Sequence, residues 1–468
     1  MVRNVLLETA STLDNRKLLL LFVVVTVIIL IDYEFGLVSD FIPNIISSSE
    51  GISLFVSTAV IFAFTSLIIL AYVKHIGEKS GAKFLHLVRT HKLVTIAQYT
   101  LIVISAIVVL QVLTTMQYNT LSLAVTLTIS YGLWIVTMIL LAHAFFSWYK
   151  SIASHNELQS KILILILGLS MVAYVINGAS GLTNYLIWLQ EQNPVILSTD
   201  VAFFPDFEPE SLVTQVGAVN QLSSTIAYIL TWISAVILLR PYVEKIGKVK
   251  FWGIMGFAFI YLISYPLYIL GFLSPTGNTD TEIMNNILMI STASIFAGLV
   301  FGAAFLSIAR TLRRGTAIRQ YLILAAYGMF IFYLAGSATV SQAAYPPFGL
   351  VSVAFTGVST YLIYVGLYSS AVTLSQDLTL RKTIRKSVLE QSKLLDSIGT
   401  AQMEKELQTC VLTIAKKTSH EMKENSGIEV SLTEDDLRDY MSVVMNELKI
   451  GGNNEGNKSD FRYRRKQN

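Results

Sequence analysis

Charge is scarce in this 468-residue chain: 14% of residues are charged and 53% are hydrophobic. A soluble globular chain carries about 25% charged residues, so an ordinary soluble fold is excluded and the bilayer becomes the natural solvent. Lysine and arginine are missing altogether from residues 18–73, 93–149, 162–239, 251–309 and 320–380. Cysteine occurs once, at Cys410, which excludes an intramolecular disulfide and any multi-cysteine metal site. Recognised catalytic patterns are absent too: no zincin His pair, phosphate-binding Gly-rich loop or nucleophile elbow stands in a supporting context. The chain therefore reads as a non-enzyme without cofactor or metal. No small-residue cleavage site follows the apolar run Leu18–Ile31, so that run reads as an uncleaved signal anchor.

What is present is a strict segregation of basic residues. They cluster at Lys74–Lys92, Lys150–Lys161, Arg240–Lys250 and Arg310–Arg319, then throughout the C-terminal region. Cytoplasmic loops retain Lys and Arg, and a span takes about 20 apolar residues. The pattern predicts an all-α polytopic membrane helix bundle of ten transmembrane helices in the cell membrane, with both termini cytoplasmic. The expected spans are 18–38, 52–73, 94–114, 121–147, 162–188, 217–239, 252–273, 286–309, 321–341 and 349–373. The expected organisation is a cytoplasmic N-terminus over 1–17, the bundle over 18–375, a small helical cytoplasmic tail over 376–450 and a disordered basic end over 451–468. Trp148-Tyr149, Trp188 and Phe251-Trp252 are expected at the headgroups. Pro266 should kink the seventh helix. Gly298 and Gly302 permit a close helix contact, within the chain or between two copies. The outer loop 189–216, rich in aromatics, prolines and acids, is either an interfacial segment or a lid.

Beyond the last span, Leu380, Ile384, Val388, Leu395 and Ile398 follow helical spacing, predicting that the tenth helix continues into the cytoplasm. Arg381, Lys382, Arg385 and Lys386 would lie among anionic headgroups as a membrane-proximal basic cluster. Shorter amphipathic helices are expected around Met403–Ile414 and after the capping box at Thr433. They bury little apolar surface alone, which points to self-association or a protein partner. Nothing suggests a nucleic-acid partner, since the terminal Arg462–Lys466 run is short.

Candidate chemistry is thin. Asp32 and Glu34 interrupt the first apolar run where no basic residue is at hand. Asp32 is either wet at the end of a tilted helix or held inside, where it would be protonated, hydrated, bound by Tyr or Asn groups, or neutralised by a cation. Asn177, Asn184, Asn220 and Gln221 are the other polar candidates. The Asn177–Gly181 stretch either breaks its helix to expose carbonyls, as transporters do, or hydrogen-bonds between helices. His143 reads as packed or interfacial. Ser419-His-Glu-Met-Lys423 resembles the phosphoacceptor box of sensor histidine kinases, without that family's following proline or an ATP-binding domain.

Tyr345-Pro-Pro-Phe-Gly349, Tyr361–Ala371 and Asp377–Ser387 together resemble archaeal multi-pass membrane proteins of no established activity. The resemblance covers the last two spans and the start of the tail, and implies no functional residues. The leading expectation is a sensor, signalling or interaction protein that couples the bundle to the tail. The alternatives are a transporter of a small neutral or cationic solute and an accessory subunit of a membrane complex.

Overall fold

In the computed structural model, residues 15–38, 48–79, 85–115, 120–151, 158–191, 212–269, 280–313, 315–342 and 348–376 are described, with 395, 397–407, 409, 411, 413 and 414 beyond them. Among the described residues the chain is helical between turns and contains no strand. Its long helices are α1 (Asn15–Val38), α2 (Ser49–Lys79), α3 (Leu85–Thr115), α4 (Thr120–Ser151), α5 (Leu158–Glu191), α6 (Leu212–Leu239), α7 (Lys248–Ile269), α8 (Asp280–Thr311), α9 (Ala317–Gln342) and α10 (Leu350–Gln376). Seven of them, α2 to α6, α9 and α10, are long and apolar enough to cross a membrane, and α8 contributes the shorter apolar stretch Ile295–Thr311. The basic link between α6 and α7 folds into a 3-10 turn, Arg240–Tyr242, and one helical turn, Val243–Ile246, which stops at Gly247 with φ 92°.

Several helices outrun their apolar stretches. The helix expected over 52–73 continues to Lys79, where Lys74 and Glu78 face each other one turn apart at 3.7 Å. Such exposed pairs add a few tenths of a kcal/mol to a helix end that already lies in polar surroundings. Helix α7 runs through Pro266 to Ile269 without interruption.

The surface is inverted relative to a soluble protein. Leu20, Val23, Ile96, Val103, Leu110 and Leu222 are exposed, whereas Asp32, Gln98, Ser130, Thr137, Ser170 and Thr356 are buried. Backbone and side-chain polar groups must be satisfied internally in lipid, which favours this arrangement.

Helix α10 is the core. From Leu350 to Ser375 every residue except Tyr368 and Thr373 is buried, and α1, α2, α3, α4 and α9 all pack against it. Its approach to α9 is set by two glycines. A Cβ at Gly366 would lie 2.5 Å from the Tyr321 carbonyl oxygen and 2.6 Å from the Ala325 nitrogen; one at Gly328 would lie 2.8 Å from the Ser359 carbonyl. Gly298 and Gly302 of α8 do the same toward Phe330 and Ala326 of α9, so the close contact they make is intramolecular. Phe55 and Phe62 of α2 meet Phe348, just ahead of α10, and Phe355 within it edge to face, which sets α2 parallel to α10.

One aromatic differs from expectation. Trp148 is not at a headgroup surface: it is 1% exposed, edge-on to Phe145 and stacked over Tyr368 of α10. Helix α10 covers this end of α4, and Tyr149, with Lys161 over its ring at 5.1 Å, takes the outward position instead.

The chain divides into two compact units, Met1–Gly399 and Thr400–Asn468. In the first, Gly399 lies against Leu374, and a Cβ there would sit 2.8 Å from Leu374 Cγ. The expected continuation of the tenth helix over 377–394 lies outside the described residues. In the second unit the described residues are helical, and Gln402 donates to Glu406 one turn on at 2.9 Å.

Because backbone atoms cannot yield as side chains do, Gly366→Ala is expected to cost about 1–3 kcal/mol. Thermal unfolding in detergent measures this. Gly256→Ala, whose methyl meets nothing within 4 Å, should leave the transition unchanged or raise it slightly.

Candidate functional site

Asp32 lies in α1 and is fully buried, at 0% exposure. Its Oδ2 accepts two hydrogen bonds from one residue of α10, the Ser352 backbone N–H and the Ser352 hydroxyl, both at 2.8 Å. Gly349, with φ 95°, turns the chain into α10, and its carbonyl accepts the first helical bond from Val353 at 3.0 Å. The first N–H groups of any helix lack an intrahelical acceptor, and the amide dipoles leave that end partially positive. A carboxyl from another helix meets both needs. The buried Asp32 is held by a helix N-terminus, in place of the Tyr or Asn groups, water or cation expected. The partner is 320 positions away, so no local pattern reveals it. A cation would meet the positive end of α10 at this carboxyl, which disfavours a metal reading for Asp32. The Glu34 side chain lies outside the described residues.

Asn177 of α5 and Asn220 of α6 bind each other. Asn177 Nδ2 donates to the Asn220 carbonyl at 3.0 Å and to its Oδ1 at 2.9 Å, while Asn220 Nδ2 returns to the Asn177 carbonyl at 3.4 Å. Helix α5 is unbroken through Asn177–Gly181, so the glycines expose no carbonyls by unwinding. They make room instead. A Cβ at Gly181 would lie 2.7 Å from Asn220 Nδ2, and one at Gly178 would lie 3.2 Å from Ile135 of α4. Asn184 Oδ1 is buried without a partner. Gln221, next to the pair, is half-buried.

A second polar cluster joins four helices. The Tyr174 hydroxyl of α5 bonds to Thr231 of α6 at 3.1 Å and to the hydroxyl of Tyr333 in α9. Tyr228 donates to the Ala258 carbonyl of α7, and Trp232 Nε1 to that of Met255 at 3.0 Å. Tyrosine and threonine hydroxyls and the Trp232 indole N–H carry these interhelical bonds. On the other side of the bundle, His91 Nδ1 of α3 and the Tyr361 hydroxyl of α10 are 2.7 Å apart. Thr90 bonds Tyr364 beside them. His143 faces outward.

Among the described residues, no three His, Cys, Asp or Glu side chains converge to hold a metal ion. The site the structure assembles is thus a set of clasps on α10 and between α5 and α6, suited to holding or shifting helices. Arg381, Lys382, Arg385 and Lys386 lie outside the described residues, as do Ser419–Lys423, Cys410 and most of loop 189–216.

Asp32→Ala leaves the Ser352 N–H without an acceptor and is expected to lower stability by about 1–3 kcal/mol. Asp32→Asn keeps one acceptor oxygen and should cost less. Thermal unfolding of both variants reads the difference, and two melts equal to wild type would remove the clasp from the account. Comparison with known proteins adds nothing to this geometry: no family model matches the chain, and no curated protein or solved structure is similar to it.

Proposed function

We propose that this is a ten-span protein of the cell membrane that couples its helix bundle to an interaction made by its cytoplasmic tail. The observation that carries the reading is the enclosure of α10. It is the helix from which the chain passes to the tail, and five helices pack on it. A ligand, lipid or partner that shifts α1, α2, α3, α4 or α9 acts on α10 directly. Asp32 holds one end of that helix, and His91 holds it further along through Tyr361. Gly399 lies against Leu374, so displacement of α10 reaches the residues that precede the second unit.

The ten long helices fall on the ten apolar segments, and basic residues sit at alternate joins between them, which supports ten spans with both ends inside. Arg381, Lys382, Arg385 and Lys386 would tether the start of the tail to anionic lipid, at about 1 kcal/mol each. The tail's partner is a protein or a second copy of this chain. A carrier reading has less support, because Asp32 Oδ2, Asn177 and Asn220 are already engaged with other parts of the bundle.

Two measurements test this. In a Cys410→Ala background, Asp200→Cys and Asp280→Cys should label from outside the cell, and Lys248→Cys should not. Gly399→Leu should change protease access to the tail, and whatever co-purifies with it, while leaving the melting of the bundle in place. A chain ending at Gly399 that moves a solute across vesicles at full rate would overturn the coupling reading in favour of a carrier.

A further inference from the structure

Hydroxyls in this bundle follow a common rule. Buried Thr58, Thr137, Ser170, Ser307 and Ser359 each return Oγ to a carbonyl three or four residues back. Such bonds satisfy the hydroxyl within its own helix. Ser105 of α3 and Ser130 of α4 depart from the rule: their Oγ atoms are buried with no partner. Gln98 of α3 departs further. It is 0% exposed, and neither its Nε2 nor its Oε1 has a partner. An amide offers two donors and two acceptors, and burying it with none met is heavily penalised.

Gln98 and Ser130 belong to one corner of the bundle, and Ser105 lies two turns beyond Gln98, about 10 Å along α3. Of the buried positions of α3, Val94, Gln98, Leu101, Ser105, Val108 and Val112 recur every three or four residues and form a single seam, with Ile104 buried beside it. His91 continues that seam and reaches Tyr361, which fixes its depth against α10. Because α2 runs parallel to α10 and α3 returns beside α2, α3 and α10 are antiparallel. Two turns along α3 from His91 is Gln98; the same distance back along α10 from Tyr361 is Ala354. Ser130 faces α10 nearby, since its carbonyl lies 3.3 Å from where a Gly357 Cβ would be. Gly357 is within about one helical turn of Ala354. Helices α3 and α4 touch each other as well as α10. No Asp, Glu, Lys or Arg occurs in 93–149 or 350–376, so nothing on these three helices at this depth offers charge to an ion.

We propose that Gln98 and Ser130 form a buried site for a small uncharged ligand that both donates and accepts hydrogen bonds, with water as its smallest occupant. Gln98 Nε2 donates to it and Oε1 accepts from it, while the Ser130 hydroxyl serves in either sense. A polar cavity that supplies two to four partners is where buried water settles. The site stands whether or not the tail relays a signal.

Nuclear magnetic resonance on the full chain in lipid nanodiscs, with glutamine side-chain nitrogens labelled, tests it. The Gln98 NH2 signal is identified by its loss in Gln98→Leu; if that variant does not fold, its displacement in Gln98→Asn serves. The expected result is magnetisation transfer from water to this NH2, and a saturable shift when acetamide is added as a neutral amide probe. Contact with water alone supports the site at its smallest occupant. Where acetamide binds, Ser130→Ala should weaken it about tenfold, the loss of one hydrogen bond. A Gln98 signal silent to both water and acetamide overturns the proposal. So does one that responds to sodium chloride and not to acetamide.

Discussion

Helices in lipid gain little by burying apolar side chains against one another, because the acyl chains they leave are equally apolar. What can hold them is close backbone approach and interhelical hydrogen bonding. Both converge here on α10. Gly328 and Gly366 bring α9 so near that a methyl group at either position would overlap backbone atoms of the other helix. With one side closed in this way, α1, α2, α3 and α4 complete the enclosure. Only then does the first turn of α10 lie deep enough to need an acceptor from elsewhere, which Asp32 supplies. The clasp is thus a result of the packing as well as a support for it.

The positions of the helices were legible because apolar length and basic links are local properties of the chain. Leu85–Thr115 and Leu350–Gln376 announce themselves equally well as apolar helices. Their fates differ completely: α3 shows Ile96, Val103 and Leu110 to the surroundings, and α10 shows almost nothing. In water a buried face is apolar and an exposed one polar, so the pattern separates them. In lipid both faces are apolar, and the distinction moves to small and hydroxylated residues such as Ser352, Gly357 and Gly366. A signal existed at Gln98, an amide in the middle of an apolar helix, though its spacing from His91 and Ser105 matters only once the seam is known. Trp148 misled for the opposite reason. Tryptophan near a helix end usually marks the headgroups, and here Phe145 and Tyr368 cover it.

The polar residues divide by how completely they are engaged. Asn177 and Asn220 meet across a gap that Gly181 keeps open, and the pair satisfies side-chain and main-chain groups together. Tyr174, Tyr333 and Thr231 form a similarly closed set. Groups of this kind specify which helix neighbours which, since a mismatched neighbour would strand a donor in a medium that offers no substitute. The Gln98 corner is the contrasting case, with groups that the protein alone leaves unmatched.

Pairing Asp32 with Ser352 also has a consequence in time. Synthesis runs from the amino end, so α1 is made long before its acceptor-seeking partner. The carboxyl must wait, at a water-accessible edge or in transient company, while eight further helices are added. When α10 arrives, it closes the circle between the earliest and latest long helices described. Assembly of the bundle thereby gains a natural completion point: the chain cannot settle fully until α10 has been made.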